Sequence, residues 1–286
     1  MTKVIYLHAG AHRTGTSSFQ MCLSLNQSAL AAANVDVAYP GRDDIPGGTL
    51  RLPLSPDGQA GVARRLRYHS PDPRRALLLS EENVTGQMFP FLRGQFYPKA
   101  EERLNVLAAG LATAEARIAR LLLVVRRYDD FFASAYRKRA EDHPVASFDK
   151  RVPDFLAMDR GWPELVEALS AILQPVEFFV VDYERRPSRA GLLRLLLPGY
   201  AGPVEEPQRV MNLSATDVAL EHLQARYRAG EELERPAWQA VIAEHADQRD
   251  GTGFAEFKEA DRRVLSERYA ADLDRIGAIP GVTLLR

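Results

Sequence analysis

The amino-acid sequence predicts an α/β fold in which helices cover both faces of a parallel sheet. Short runs of apolar and β-branched residues are typical of strands that are buried on both faces. Segments with a helical period separate these runs, and such an alternation builds a three-layer parallel sheet. Polar residues follow each run directly, at the carboxyl end of the strand, which is where ligands bind in sheets of this kind. The predicted strands are residues 3–8, 75–79, 118–125 and 176–181.

Helical patterns fill most of the chain between and after these strands. A Gly-, Pro- and Asp-rich stretch at 40–58 predicts a long loop, and aromatic residues at 88–98 predict an irregular segment. After Pro203 we expect no further strand, and a capping box at Ser214–Asp217 opens the first of three C-terminal helices. Helices are expected at about 16–33, 99–116, 129–142, 145–173 with a break at 161–163, 188–197, 214–230, 234–248 and 256–276, and a short one carries Arg64, Arg65 and Arg67.

Length and composition set the organisation of the chain. The 286 residues allow a single domain, 1–286, with an α/β core at 1–200 and a mostly helical extension at 204–286. The net charge of −1 favours neither a nucleic-acid nor a membrane partner. The single cysteine, Cys22, excludes an intramolecular disulfide and lies among apolar residues, as a buried, inert thiol does. No run approaches 18 apolar residues and a strand begins at residue 3, so we expect no membrane span, no signal peptide and a cytoplasmic location.

The loop between the first strand and the first helix has the composition of an anion-binding site. A helix N-terminus offers unpaired backbone N–H groups and partial positive charge to a phosphate or sulfate. Gly10 and Gly15 allow the backbone to approach the anion closely, and Arg13 is the only cation of the loop. Hydroxyl donors are supplied by Thr14, Thr16, Ser17 and Ser18. The Gly10-x-x-x-x-Gly15 spacing is that of a nucleotide P-loop, but Thr16 stands where that motif has lysine.

The same loop resembles that of sulfotransferases that use 3′-phosphoadenosine-5′-phosphosulfate (PAPS). Arg13-Thr14-Gly15-Thr16-Ser17 is similar to their Lys-x-Gly-Thr-Thr segment, with arginine in place of lysine. Residues 8–20 as a whole resemble the H-x-G-x-x-K-T-G-T-T-S-x-Q opening of bacterial members. The resemblance implies a three-layer parallel sheet of the P-loop NTPase-like type, and a donor nucleotide held by Arg13, Thr14, Gly15, Thr16 and Ser17.

A second stretch also resembles this family. The predicted strand 118–125 ends at Arg126, and Ser134 follows eight residues later on the next helix. In the family an R-x-P-x-(x)4-S-x-Y pattern of this kind holds the 3′-phosphate of the nucleotide. Tyr136 also fits the pattern, whereas Tyr128 replaces its proline. Because an arginine fork and a hydroxyl suit a phosphomonoester, the resemblance assigns Arg126 and Ser134 to the 3′-phosphate.

Weaker similarities extend over most of the chain. Residues 176–184 resemble the family's v-x-v-x-x-Y-E strand, residues 209–214 its R-x-N-x-S segment, and residues 257–273 its terminal helix. Residues 40–75 and 85–100 match no feature of the family.

The resemblance implies transfer of a sulfuryl group from PAPS to a hydroxyl or amine, with adenosine 3′,5′-bisphosphate as product and no metal requirement. Arg13 would stabilise the leaving oxygen electrostatically, because arginine does not lose its proton. Glu81 or Glu82, at the end of the second predicted strand, is the expected base, with Glu81 placed first. His12 is a rival base and His8 a weaker one.

Several alternatives remain open from the residues alone. Both glutamates could be solvated loop acids or helix caps. Lys99, Arg64 or Arg93 could replace a second lysine that several families place near the base, and the aromatic residues Phe89, Phe91, Phe96 and Tyr97 could wall an acceptor pocket or simply pack. A P-loop kinase or NTPase, and a nucleotide-binding relative without turnover, are the competing functions. The residues do not identify the acceptor, although carbohydrates and glycolipids are possible classes by analogy with the family. They do not indicate the oligomeric state either.

Overall fold

A computed structural model describes residues 2–41, 45–208, 215–249 and 251–286. Its centre is a six-stranded sheet with the order β2-β3-β1-β4-β5-β6, in which every neighbouring pair is parallel. The strands are β1 (Lys3–His8), β2 (Val35–Ala38), β3 (Ala76–Ser80), β4 (Ala116–Val125), β5 (Glu177–Asp182) and β6 (Val282–Leu285). The predicted α/β class with a parallel sheet is therefore confirmed.

Helices connect and cover the strands. They are α1 (Thr16–Leu25), α2 (Gln27–Ala32), α3 (Gln59–His69), α4 (Ala100–Thr113), α5 (Tyr128–Asp142), α6 (Val152–Leu156), α7 (Trp162–Leu173), α8 (Arg189–Leu196), α9 (Asp217–Arg228), α10 (Arg235–Glu244) and α11 (Glu259–Gly277). Short 3₁₀ helices lie at Phe89–Arg93, Phe148–Lys150 and Tyr183–Arg185. In the described part of the chain, no helix combines the length and apolar character needed to cross a bilayer.

Alternating strand residues bury two hydrophobic layers, one on each face of the sheet. On one face Leu122 and Val124 of β4 pack with residues of α1 and α8. On the other face Leu121 and Leu123 pack with residues of α4, α5, α7 and α11. Because α1 leaves β1 towards the first face and α5 leaves the adjacent β4 towards the second, the sheet has a topological switch point between the carboxyl ends of these two strands. Sheets of this type bind ligands at such a switch point.

Two strands were missed by the sequence prediction. The expectation that no strand follows Pro203 is wrong, since β6 pairs with β5 from Phe178↔Val282 to Val181↔Leu285. This strand has four residues and is only partly buried, so its pattern lacks the continuous apolar run of a central strand. The other missed strand, β2, is equally short and forms the opposite edge of the sheet.

Helix boundaries differ from the prediction in two places. The predicted helix 16–33 divides at Asn26, whose side-chain amide donates to the carbonyl groups of Cys22 and Glu205. The cap of α9 is Thr216, whose hydroxyl accepts from the amide of Ala219. Ser214, the predicted cap, and the 209–214 segment that resembles the sulfotransferases lie outside the described residues.

Candidate functional site

Most of the predicted site residues converge at the carboxyl ends of three adjacent strands. His8, the last residue of β1, pairs with Ser80 of β3 on one side and with Leu122 of β4 on the other. The loop of residues 9–15, hereafter the β1–α1 loop, follows β1 at this edge. Residues 81–83, hereafter the β3 segment, follow β3, and Arg126 follows β4.

The β1–α1 loop closes into a tight turn that one hydroxyl group of the loop and one of α1 hold. Gly10 and Gly15 have φ angles of +88° and +90°, and Arg13 has a φ of +58°. The hydroxyl groups of Thr14 and Thr16 both donate to the carbonyl oxygen of Ala11, at 2.6 and 2.9 Å. These two hydroxyl groups therefore shape the loop here, in place of the direct anion contacts expected from the sequence.

The amino end of α1 places backbone donors next to an exposed glycine. Its first-turn amides belong to Thr16, Ser17 and Ser18, and amides in this position have no acceptor within a helix. The first turn contains no acidic residue that would offset its partial positive charge. Gly15, which precedes this turn, is exposed, and a Cβ atom built on it would meet no atom within 4 Å. Among the described residues, there is therefore room for an anion beside Gly15, at the start of α1.

Arg13 joins the loop to the second predicted stretch. Its Nε donates to the Oγ of Ser134 on α5 at 2.8 Å, and its carbonyl oxygen accepts from the Nη1 of Arg126 at 2.9 Å. Burial lowers the pKa of the Arg13 guanidinium, and the charge of Arg126 adds to this effect, whereas the carboxylates of Glu141 and Glu82 oppose it. Arginine stays protonated under such conditions. Two guanidinium groups are thus brought close together beside a hydroxyl group, an arrangement that suits a multiply charged anion.

Arg126 is held in place, but one of its donors has no partner in the described part of the chain. Its guanidinium carbon lies 4.6 Å from the ring centroid of Tyr183, and its backbone carbonyl accepts from the indole N–H of Trp162 at 2.9 Å. Its Nε is buried and has no hydrogen-bond partner among the described residues. Since buried polar atoms are nearly always satisfied, this atom is a candidate contact for a ligand.

The two candidate glutamates have different surroundings. The Oε1 of Glu81 accepts from the backbone N–H and the side-chain amide of Asn83, at 2.9 and 3.1 Å, and the residue is 5% exposed. Glu82 is half-buried and packs on the β1–α1 loop: a Cβ on Gly10 would lie 2.8 Å from its Cα. Its charge also acts on Arg13 and His8. The geometry therefore favours Glu82 over Glu81 as the residue that faces the loop, the reverse of the order expected from the sequence.

Both candidate histidines are engaged within the protein. The Nε2 of His12 lies 3.2 Å from the side-chain oxygen of Asn83, and its Nδ1 lies 3.2 Å from the hydroxyl of Tyr97. The Nδ1 of His8 lies 2.8 Å from the hydroxyl of Ser80, and burial lowers the pKa of His8 to about 4. These contacts give both side chains a role in holding neighbouring strands and loops, and they do not favour either as a base.

A basic residue that the sequence reading did not single out meets the β3 segment. Arg103 of α4 donates to the carbonyl oxygen of Asn83 through Nε and Nη2, at 3.0 and 2.6 Å. The three basic residues named from the sequence, Lys99, Arg64 and Arg93, are exposed at the surface. Arg103 lies in the middle of an ordinary amphipathic helix pattern, so no local signal distinguishes it.

The aromatic segment before α4 packs rather than lining a pocket. Phe91, Phe96 and Tyr97 are fully buried and form edge and stacked ring contacts with one another. Phe89 is partly buried and lies under the guanidinium of Arg139, 4.6 Å from ring centroid to Cζ. The packing interpretation of these residues is the one that the structure supports.

Other parts of the described chain add little to the site. No group of three or more His, Cys, Asp or Glu residues is placed to hold a metal ion within the described ranges. Asp182, at the end of β5, accepts from the hydroxyl of Tyr269 at 2.8 Å and from the amide of Glu184 at 3.3 Å. A pocket of about 270 Å³ lies elsewhere, near the amino ends of β2 and β3, beside Asn34 and Tyr200.

Comparison with known proteins gives no further guide to this site. No protein-family model matches the chain, and a search of curated proteins finds no significant match.

Proposed function

We propose that the protein is a PAPS-dependent sulfotransferase that moves a sulfuryl group to a hydroxyl or amine of an acceptor. The observation that carries the proposal is the meeting of two distant stretches at one residue. Ser134 and Arg126, which are 121 and 113 residues away in sequence, both bond to Arg13. These are the residues that the resemblance assigns to the two ends of one nucleotide.

The residues present fit such a donor. The β1–α1 loop, which we take to be a P-loop-like phosphate site, would bind the 5′-phosphosulfate through the first-turn amides of α1 and through Arg13. Arg126, whose Nε has no hydrogen-bond partner among the residues described, and Ser134 would bind the 3′-phosphate. The open space above Gly15 is compatible with an anion at the helix end. PAPS would supply the activated sulfuryl group.

Each side chain then has a defined part in the reaction. Arg13 provides fixed positive charge where negative charge develops on the leaving oxygen, and its contact with Ser134 orients it. Glu82 accepts the proton of the acceptor, since its backbone packs on the β1–α1 loop at Gly10, beside the proposed sulfuryl group. Asp182 bonds to Tyr269 and to its own turn, which gives it a structural part rather than that of a metal ligand in an NTPase.

The test is transfer of label from ³⁵S-PAPS to fractionated cell-extract acceptors, compared with γ-³²P-ATP and Mg²⁺ under the same conditions. We expect acceptor-bound ³⁵S that persists in EDTA and is lost in Arg13→Ala. Acceptor-bound ³²P without ³⁵S would indicate a kinase instead. Tight binding of adenosine 3′,5′-bisphosphate without any labelled acceptor would indicate a binding protein.

A further inference from the structure

Asn83 is the centre of a hydrogen-bond network that joins three elements at the candidate site. Its side-chain amide donates to Glu81, and its side-chain oxygen lies at hydrogen-bond distance from His12 of the β1–α1 loop. Its carbonyl oxygen accepts two hydrogen bonds from Arg103 of α4. One residue therefore ties the β3 segment both to the proposed anion site and to a helix on the sheet face.

The network holds the backbone on each side of Glu82. On the amino side, the amide of Glu81 donates to the carbonyl oxygen of His8 at 3.0 Å. On the carboxyl side, the amide of Asn83 donates to the Glu81 carboxylate, and the Asn83 carbonyl is held by Arg103. With both neighbours held, the backbone of Glu82 is fixed relative to Gly10.

Arg103 is placed to act as the outer anchor of this network. Its Nη1 donates to the carbonyl oxygen of Leu54 at 3.3 Å, so the same guanidinium binds the loop before α3. Burial lowers the pKa of Arg103, and the carboxylate of Glu81 opposes that effect. A partly buried guanidinium that bonds to two backbone carbonyl groups restricts motion of both segments.

We propose that Arg103 and Asn83 are positioning residues that hold Glu82 against the β1–α1 loop and opposite Arg13. The proposal rests on the proposed role of Glu82 as the base. A set of contacts that served folding alone would not need to include His12. Because these contacts reach the β1–α1 loop, they fix the position of the base relative to the anion site. Small displacements between reacting groups lower the rate by large factors, so a clamp of this kind would matter for turnover.

The experiment measures the surroundings of Glu82 directly, by ¹³C NMR titration of glutamate carboxylates, with Glu82→Gln to assign the signal. Arg103→Lys keeps the charge but cannot bond to Asn83 and Leu54 in the same way, and Asn83→Ala removes the side-chain contacts to Glu81 and His12. The matched control is Arg67→Lys, because Arg67 also donates to a backbone carbonyl group, that of Thr113, away from the site. We expect the Glu82 titration midpoint to move in the two site variants and to stay unchanged in the control.

The second readout is turnover, with PAPS itself as the probe and release of ³⁵S-sulfate to water as the signal. Arg103→Lys and Asn83→Ala should lower the rate about 10- to 100-fold while adenosine 3′,5′-bisphosphate affinity stays within about twofold of wild type. An Arg103→Lys protein that melts like the wild type and matches it in both titration and rate would overturn the proposal. If the wild type does not bind the bisphosphate, the proposed function fails, but the NMR titration still reports whether the clamp holds Glu82.

Discussion

The ends of β1 and β3 lie side by side in the sheet but are built in different ways. The turn of the β1–α1 loop has local causes: positive φ angles at Gly10 and Gly15, and the hydroxyl groups of nearby Thr14 and Thr16 on the carbonyl of Ala11. The β3 segment is shaped by residues from elsewhere, since its Asn83 meets His12 and Arg103. The turn at the first strand end is therefore set locally, whereas the backbone at the second is held by Arg103 from a distant helix.

This difference separates the two chemical tasks of the proposed site. Binding an anion needs backbone amides and a cation, which a short loop before a helix can supply. Placing a base needs a carboxylate at a defined distance from another strand, which a short segment cannot set by itself. The comparison therefore predicts that substitutions in the loop act on anion binding, and at Arg13 on turnover as well, whereas substitutions around the β3 segment act on turnover alone.

The largest expected effect distinguishes the two adjacent glutamates. Glu82→Gln should slow sulfuryl transfer by about 10²–10⁴, because it removes the proposed proton acceptor while leaving the fold intact. Glu81→Gln should slow it by less than about tenfold, since the amide oxygen of Gln can still accept from the Asn83 backbone. Steady-state rates with ³⁵S-PAPS check both values. A larger loss of rate in Glu81→Gln than in Glu82→Gln would assign the role of base to Glu81. Full activity in both variants would move it to His12.

A pair of glycine substitutions tests how closely the two regions meet. Gly10→Ala should lower the free energy of unfolding by about 3 kcal/mol, because its φ is +88° and its Cβ would collide with the Glu82 backbone. Gly15→Ala has a similar φ but nothing within 4 Å, so about 1–2 kcal/mol is expected. Urea unfolding measures both. Equal losses would mean that the loop and the β3 segment are not in contact at Gly10.

The buried contact between His8 and Ser80 predicts a pH dependence of stability. Burial lowers the pKa of His8 from 6.5 to about 4, so the unfolded chain takes up a proton between these values while the folded protein does not. The contribution of His8 is therefore complete above pH 6.5 and is lost as the pH falls towards 4, by about 2 kcal/mol at pH 5. Urea unfolding at pH 8 and pH 5 gives the loss of unfolding free energy between these pH values. His8→Asn should reduce that loss by about 2 kcal/mol, whereas replacing the exposed His222 of α9 by Asn should leave it unchanged. Identical pH dependence in His8→Asn and wild type would contradict this.

The sequence predicted what depends on local pattern and missed what depends on distant contacts. Four strands, the β1–α1 loop and the order of Arg126 and Ser134 could be recognised because apolar runs, glycine spacing and strand ends are local signals. The strand β6 could not, because it is a short edge strand whose pairing with β5 depends on the folded sheet. The role of Arg103 and the choice between Glu81 and Glu82 depend on how α4 and the β1–α1 loop pack in the folded protein. The neighbouring residues in the sequence carry no signal of that packing.

The most direct test of the central claim compares two ligands that differ by one phosphate. Calorimetry should show that the wild type binds adenosine 3′,5′-bisphosphate much more tightly than AMP. Arg126→Ala should weaken bisphosphate binding by about 10–150-fold, equivalent to roughly 1.5–3 kcal/mol, and leave AMP binding unchanged. Arg127→Ala, at an adjacent arginine that pairs with Asp129, should leave both unchanged. Equal affinity of the wild type for the two ligands, or an equal loss for both in Arg126→Ala, would contradict the account.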